Sequence, residues 1–265
     1  NLQKGQPLVI NSPIEGVEFV RLVAKHAYAL GAKHVHVNWN DEALTKMKYE
    51  NAPMEVFENF PKWYADGLEE FAKDGAGFLS IYSEDPELLK EVDPKKIAAH
   101  NKSSSIALKE YSKYTMNDIN AWCVVSIPTK GWAKRVFPDI SEEEAMKKLW
   151  EAIFKATRMD LEDPVKAWQD HLKNLEEKIT FLNEKNFKKL YYKSSNGTDL
   201  EIELPEGHIW AGGGSKNSKG VFFVANMPTE EVFTMPLKTG VNGVVYSTKP
   251  LNYGGNLIDN FKLTF

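Results

Sequence analysis

The sequence predicts an α/β fold, with an open, mostly parallel α/β domain over residues 1–186 and an incomplete, β-rich (α+β) domain over residues 187–265. Two observations carry this prediction. In the first part of the chain, apolar β-branched runs alternate with amphipathic helical segments, which is the order that builds a parallel sheet. Near Lys188 the pattern changes to short apolar runs separated by glycine, asparagine and proline, which is typical of antiparallel strands and turns.

The first three predicted elements form a βαβ unit. Residues 8–10 are a short apolar run that ends at Asn-Ser-Pro, and residues 34–39 alternate as a strand does. Residues 15–30 lie between them and carry an apolar face at helical spacing: Val20, Val23, Ala24 and Ala27. Gly31 follows as a helix stop. Because strand, helix and strand fit within about 30 residues, we expect the two strands to pair in parallel.

The alternation continues with predicted strands at 77–82 and 121–127 and predicted helices at 94–116, 141–157 and 163–186. Ser141 and Glu144 form a capping-box signal at the start of the second of these helices. An apolar stripe with spacings of 3 and 4 residues runs along the third: Val165, Trp168, Leu172, Leu175, Ile179 and Leu182. We expect this helix to pack on the sheet or to cross between domains. A coiled-coil dimer seam is the alternative.

Five short strands are predicted after residue 187, at 190–193, 200–204, 221–224, 243–246 and 260–265. Turn residues lie between them, at 195–197, 205–207, 212–215 and 253–255. The dipeptide Asn196-Gly197 is a strong signal for a tight hairpin.

Composition excludes several classes of protein. The chain is 42% hydrophobic and 26% charged, so it has enough apolar material for a packed core. A net charge of -4 and a pI near 5.9 argue against nucleic acid and anionic membranes as partners. No apolar stretch approaches the roughly 20 residues that span a bilayer. The single cysteine, Cys123, fits a reducing cytoplasm and lies in an apolar run, as a small buried hydrophobe rather than a catalytic thiol.

The usual catalytic signatures are missing from the sequence. It contains no His-Glu-x-x-His, Cys-x-x-Cys, Walker-type, Gly-x-Gly-x-x-Gly or Gly-x-Ser-x-Gly motif, so no organic cofactor site is predicted. His34 and His36 should share one face of a strand, as metal ligands or as hydrogen-bonded structural residues. Surface positions are predicted for the helical histidines, which are His26, His100 and His171.

Two further features are candidates for a site. His208 follows a turn close to Gly212-Gly-Gly214, and this glycine run predicts either a close backbone approach to a ligand or a mobile hairpin loop. Glu230 and Glu231 are adjacent carboxylates after an apolar strand and Pro228. Neighbours in an extended segment point in opposite directions, so one carboxylate can face inward while the other faces solvent. An inward carboxylate needs a partner, a proton or a metal. Two solvated surface glutamates are the alternative.

The segment Asn-Met-Pro-Thr-Glu-Glu-Val-Phe-Thr at residues 226–234 resembles the aminopeptidase T and aminopeptidase S (PepS) family of bacterial metallo-aminopeptidases. Further segments resemble the same family, at residues 27–32, 163–168, 197–200 and 247–251. The resemblance implies an open α/β N-terminal domain followed by a β-rich catalytic domain. It also implies that Glu231, the glutamate before Val-Phe, is a ligand of a two-metal centre, and that Glu230 is not.

The resemblance extends to cofactors, partners and location. It implies two divalent ions (Zn, Co or Mn), peptide substrates, a homodimer and a cytoplasmic location. The family's other metal ligands (a Glu, two His and an Asp) and an extra N-terminal helix have no match in this chain, so we expect a truncated chain that is inactive alone. Two alternatives remain: a non-catalytic α/β module that binds a small ligand or a partner, and a dimerisation scaffold built on residues 165–182.

Overall fold

A computed structural model describes residues 2–83, 85, 87–253 and 256–265. The chain forms two compact units. The first unit comprises Asn1–Asp160 and Gly214–Pro228, and the second comprises Leu161–Gly213 and Thr229–Phe265. This division groups the long helix after residue 163 with the β-rich part. The predicted domain boundary after residue 186 stays a prediction.

The first unit is built on a four-stranded parallel sheet. Its strands are β1 (Pro7–Pro13), β2 (His34–Asn40), β3 (Gly77–Ile81) and β4 (Trp122–Val125), in the order β2-β1-β3-β4. All three neighbouring pairs are parallel, so the predicted parallel α/β sheet is confirmed. The chain steps outward from β1 to β2 and then returns to the other side of β1, which places a topological switch point between β1 and β3.

Eight helices are described in this unit: α1 (Val17–Ala29), α2 (Glu42–Asn51), α3 (Glu55–Glu58), α4 (Lys62–Lys73), α5 (Pro94–Ala107), α6 (Lys109–Met116), α7 (Lys130–Val136) and α8 (Glu142–Ala156). A 3₁₀ turn at Ile14–Gly16 precedes α1. The helix predicted over 94–116 is interrupted at Leu108. In the predicted capping box, Ser141 Oγ accepts from the Glu144 N–H at 3.2 Å, while the Glu144 carboxylate lies 3.8 Å from Lys148 Nζ.

Helices cover both faces of the parallel sheet. Leu8 and Ile10 pack on one side against Val20 and Ala27 of α1, and Val9 packs on the other side against residues of α4 such as Leu68. Alternate residues of a strand point to opposite faces, so a strand with three consecutive buried apolar residues requires cover on both sides. This explains why the run at residues 8–10 is continuously apolar.

The second unit combines one long helix with short strands. The helix, α9 (Pro164–Lys185), starts at Asp163, whose side chain accepts from the Lys166 N–H, and ends at Asn186 in the left-handed region. Its stripe buries Trp168 and Leu175. A four-stranded antiparallel sheet has the order β14-β11-β6-β5, with β5 (Lys189–Lys193), β6 (Asp199–Glu203), β11 (Val241–Tyr246) and β14 (Lys262–Thr264).

Paired strands of two or three residues complete the described structure: β7 (Ala211–Gly212) with β10 (Val232–Phe233), β8 (Ser215–Lys216) with β9 (Phe222–Phe223), and β12 (Leu251–Tyr253) with β13 (Asn256–Ile258). The β8–β9 pair belongs to the first unit rather than to the β-rich part. Asn196-Gly197 forms the predicted hairpin between β5 and β6, with Gly197 at a φ of +100°. The predicted turn at 253–255 lies partly outside the described residues. Within the described chain, no helix has the length and apolar character that crossing a membrane requires.

Candidate functional site

The segment that carries Glu231 is fixed by backbone pairing to the glycine run. Strand β10 follows Glu231 directly and pairs with β7, with Val232 opposite Gly212. A Cβ added at Gly212 would lie 2.5 Å from the Glu231 carbonyl oxygen, and the Gly212 φ is +157°. Only glycine allows this approach of two backbones. Gly212 therefore serves a close approach to the Glu231 backbone, and the predicted approach to a ligand stays a prediction.

Gly213 continues the same packing arrangement against α9. It is buried, and an added Cβ would lie 3.5 Å from atoms of Leu172 and Leu175 on the helix stripe. These contacts make Gly212 and Gly213 part of the packed second unit, which favours a packed segment over a mobile hairpin loop at these two residues.

His171 of α9 anchors the other end of the segment. Its Nε2 donates a hydrogen bond to the Thr229 carbonyl oxygen at 2.8 Å and lies 3.4 Å from Glu230 Oε2. The side chain is only 10% exposed, and its ring meets the Trp168 ring edge-on, with centroids 5.6 Å apart. The predicted surface position of His171 is therefore wrong. The sequence did contain a signal for this burial. His171 lies three residues after Trp168 of the apolar stripe, and residues three apart share a helix face.

The segment has a third anchor beyond β10. Thr234 Oγ1 donates to the Ile209 carbonyl oxygen at 2.9 Å. Hydrogen bonds at Thr229 and Thr234 thus bracket Glu231, and the β7–β10 pairing holds the backbone between them. The backbone at Glu231 is therefore held on both sides.

Both glutamates of the segment are exposed, which supports the alternative of two solvated surface glutamates over that of one inward-facing carboxylate. The reason is that β10 belongs to a two-stranded pair, which has too little sheet to bury one of its faces. Glu230 lies against His171, and its side chain is 56% exposed. Glu231 makes no side-chain hydrogen bond or ion pair with any residue that the structure describes. Its carboxylate is therefore available to an external cation.

The donors of this chain fit one metal ligand rather than a whole metal site. In the part of the chain that the structure describes, no group of three or more His, Cys, Asp or Glu side chains is arranged to hold a metal ion. A protein metal site normally uses at least three protein ligands. Glu231 offers one exposed carboxylate on a fixed backbone, and its role as a ligand stays a prediction.

The two histidines of β2, His34 and His36, contact each other and other residues of the first unit. Their rings stack with centroids 6.4 Å apart, which confirms that His34 and His36 share a face. His36 Nε2 lies 3.0 Å from Asn38 Oδ1, and its ring contacts Phe71 at 5.0 Å between centroids. This arrangement favours the interpretation as hydrogen-bonded structural residues. Likewise, His208 Nδ1 bonds the Pro205 carbonyl oxygen of its own turn at 2.9 Å.

Three other groups were candidates from their residue type. His26 is exposed, as predicted. His100 is half-buried instead of being at the surface, and burial together with Lys48 lowers the pKa of its imidazole. Burial raises the pKa of the Cys123 thiol, which leaves it mostly protonated and weakly nucleophilic. Cys123 is only partly buried, so the structure supports the prediction that it is not a catalytic thiol but not the prediction that it is fully buried.

Comparisons with known proteins match the whole chain. The family profile described as thermophilic metalloprotease (M29) matches residues 1–265. The chain is 55% identical to aminopeptidase AmpS from Bacillus subtilis (strain 168), 51% to aminopeptidase 2 from Geobacillus stearothermophilus and 40% to aminopeptidase T from Thermus thermophilus, in each case over 265 residues. These matches cover 100% of the chain but only 64%, 64% and 65% of the respective relatives.

A solved structure also matches the whole chain. Wild-type AmpT from Thermus thermophilus superimposes with a TM-score of 0.92 at 38% sequence identity. The match covers 100% of this chain and 65% of that chain. The α/β fold class with a parallel sheet and additional antiparallel sheets is therefore shared with a protein of recognisable sequence similarity.

Proposed function

Because this chain belongs to the thermophilic metalloprotease (M29) family, we propose that it is part of a metal-dependent aminopeptidase that releases N-terminal amino acids from peptides. The observation that carries the proposal is Glu231. Its carboxylate is exposed, has no partner in the described part of the chain, and lies on a backbone fixed by Gly212 and His171. Carboxylate oxygens are common ligands of divalent metal ions, and an exposed carboxylate can bind a cation without losing an internal contact.

Glu231 would hold one ion of a two-metal centre, with Zn, Co or Mn as the metal. A pair of divalent ions supplies an activated water and a polarised carbonyl for peptide hydrolysis. The residues of this chain orient the ligand. Gly212 sets the backbone next to Glu231, and His171 holds the Thr229 carbonyl two residues earlier. Glu230 is assigned no role in metal binding, because its carboxylate faces His171.

The test is Glu231→Gln in a polypeptide that extends over the full length of the relatives. Glutamine keeps the size of the side chain but loses the charge, so hydrolysis of an aminoacyl chromogenic amide should fall at least about 100-fold. Metal content, measured by mass spectrometry on the same samples, should fall with it. Glu230→Gln is the matched control, and we expect it to retain most of the activity. Full activity in Glu231→Gln would remove Glu231 from the metal centre.

For the 265 residues alone, we propose weak metal binding and no peptidase activity. The support is chemical, since one carboxylate is fewer than the three or more ligands of a competent site. The assay adds Zn²⁺, Co²⁺ or Mn²⁺ to the 265-residue chain. Clear turnover would show that the chain supplies a complete site of its own.

A homodimer in the cytoplasm is the remaining part of the proposal. The single cysteine is compatible with a reducing compartment, and the dimer rests on the family resemblance. Sedimentation of a full-length polypeptide tests the oligomeric state, and a monomer would contradict it. Of the alternatives, the dimerisation scaffold loses support because Trp168 and Leu175 of the helix stripe are buried within the chain. Small-ligand binding without catalysis stays a prediction for the end of the parallel sheet.

A further inference from the structure

The first unit has a crevice at the carboxyl ends of β1, β2 and β3. Its volume is about 390 Å³, and its walls come from the strand ends, the residues that follow them and Tyr64 of α4. The sheet order places the switch point between β1 and β3 at this edge. Open α/β sheets bind ligands at such positions, because the connections leave the switch point in opposite directions and open a gap.

Neutral polar and aromatic side chains line the crevice. Six of them carry the argument: Asn11, Asn38, Trp39, Ser80, Tyr82 and Ser83. Among the described residues that line it, none is charged. A buried charge on a ligand needs a counter-charge, so this lining selects against phosphates, carboxylates and amines.

The polar side chains hold one another and keep spare hydrogen-bonding capacity. Asn38 Nδ2 donates to Asn11 Oδ1 at 3.0 Å, and Asn11 Nδ2 donates to Ser80 Oγ at 3.4 Å. Each carboxamide has a second N–H, and a hydroxyl that accepts can still donate. The chain Asn38–Asn11–Ser80 is thus an ordered row of groups with hydrogens left for a ligand.

Ser83 supplies an independent observation. The residue is 4% exposed, and its hydroxyl has no hydrogen-bond partner among the residues that the structure describes. An unsatisfied buried hydroxyl is costly, and its presence in a native site calls for an explanation. Rotation about one side-chain bond redirects this hydroxyl, and a bound molecule with its own hydroxyl groups would satisfy it.

Two aromatic side chains, Trp39 and Tyr82, line the same crevice. Trp39 is 46% exposed and Tyr82 is 54% exposed, so both keep accessible surface. Ring compounds with an apolar face pack on such side chains, while polar groups at their rim reach amides and hydroxyls. The lining therefore matches a neutral ring with several hydroxyl groups, each able to donate and to accept.

We propose that this crevice binds a neutral sugar unit, either free or as the ribose of a nucleoside. The proposal goes beyond the aminopeptidase function and does not depend on it, because the readout is binding and uses no metal ion.

The experiment titrates the 265-residue chain with glucose, with adenosine and with AMP, by calorimetry and ligand-observed NMR. Saturation by glucose and adenosine identifies the sugar unit itself as the ligand, and saturation by adenosine alone identifies a nucleoside. AMP should bind no more tightly than adenosine, because none of the described residues that line the crevice carries a positive charge. Absence of saturation by glucose and adenosine up to roughly 10 mM, a very weak affinity, would overturn the proposal. Saturation by a capped dipeptide amide in their place would also overturn it.

Variants locate the binding site. Ser83→Ala and Trp39→Ala should each weaken binding about tenfold. Ser83→Ala should leave the Tm unchanged or raise it, because it removes a hydroxyl without a partner; a purely structural hydroxyl would give a lower Tm. The matched control is Tyr191→Ala, which removes a 71% exposed ring from β5 of the second unit. Unchanged affinity in both crevice variants, or equal weakening in Tyr191→Ala, would contradict the assignment.

Discussion

The two units place their polar groups in different ways. At the end of the parallel sheet in the first unit, Asn38, Asn11 and Ser80 bond one another in a row, on strands of five to seven residues. In the second unit, the Glu231 carboxylate has no partner in the described chain, and it lies beside a strand of two residues. The members of the first row bond one another, whereas the Glu231 carboxylate bonds no described residue and is left for an external partner.

The difference shows where rigidity comes from in each unit. In the first unit, many backbone hydrogen bonds between the longer strands fix their positions, so the polar row lies on a regular sheet. The Glu231 segment rests on a few individual contacts, made by Gly212, His171 and Thr234. We therefore expect single substitutions to disturb the second region more sharply than the first.

The largest expected effect is that of Gly212→Ala. The new Cβ would meet the Glu231 carbonyl oxygen at 2.5 Å, so the β7–β10 pair must separate. Overpacking against backbone together with an unfavourable φ should cost about 3 kcal/mol of unfolding free energy. Chemical denaturation of the 265-residue chain measures the change.

Gly207→Ala is the control for Gly212→Ala. Gly207 also has a positive φ, +74°, but an added Cβ there meets nothing within 4 Å. Gly207→Ala should lower the unfolding free energy by only about 1–2 kcal/mol, because alanine is strained in a left-handed backbone conformation. Equal losses in the two variants would mean that the close approach to Glu231 is not the cause.

The second effect concerns His171. His171→Leu removes the donor to the Thr229 carbonyl oxygen and should cost about 1–2 kcal/mol of unfolding free energy. His171→Gln keeps an N–H donor and should recover part of the loss. The exposed His26 gives the control, since His26→Leu should change stability by no more than about 0.5 kcal/mol. If His171→Leu leaves the unfolding free energy unchanged, the segment is held without this hydrogen bond.

Sequence patterns captured the regular part of the fold. The βαβ unit was predictable because β-branched alternation and a helical apolar face are local signals, and β1, α1 and β2 are confirmed. The break at Leu108 was not predictable, because no glycine or proline marks it. Four helices were missed, which are α2, α3, α4 and α7. The 4 residues of α3 and the 7 of α7 give too little periodicity to recognise. The 12 residues of α4 bury Ala65, Leu68 and Ala72 at helical spacing, so this signal was present in the sequence and was overlooked.

The candidate site was less accessible to sequence reasoning. Adjacent carboxylates at positions 230 and 231 are equivalent by residue type, and only the family resemblance selects Glu231. His171 lies 58 residues before Thr229 in the chain, so no local pattern links them. The crevice residues come from the ends of three strands that are distant in sequence, and their grouping follows from the sheet order, which the patterns left open.

A smaller effect is expected from pH, and it belongs to the first unit. The pKa of His100 is lowered from its ordinary value of 6.5 by burial and by Lys48, so the folded state binds fewer protons than the unfolded state near this pH. The unfolding free energy should therefore fall as the pH drops below 6.5 toward the lowered pKa. Above pH 6.5 the imidazole is neutral in both states, and the full stability should be present. Denaturation at about pH 7.5 and about pH 5.5 measures the change, and His100→Gln should make it smaller. An identical pH dependence in that variant would exclude His100 as the source.

The smallest effect is the most direct test of the contrast between the two regions. Glu231→Gln should change the unfolding free energy of the 265-residue chain by less than about 0.5 kcal/mol, because an exposed carboxylate without a described partner contributes little to stability. Glu230→Gln should cost slightly more, up to about 1 kcal/mol, because it weakens the contact with His171. Thermal and urea denaturation of both variants give the comparison. A large loss of stability in Glu231→Gln would mean that this carboxylate has an internal partner, and the second region would then satisfy its charge as the first satisfies its amides.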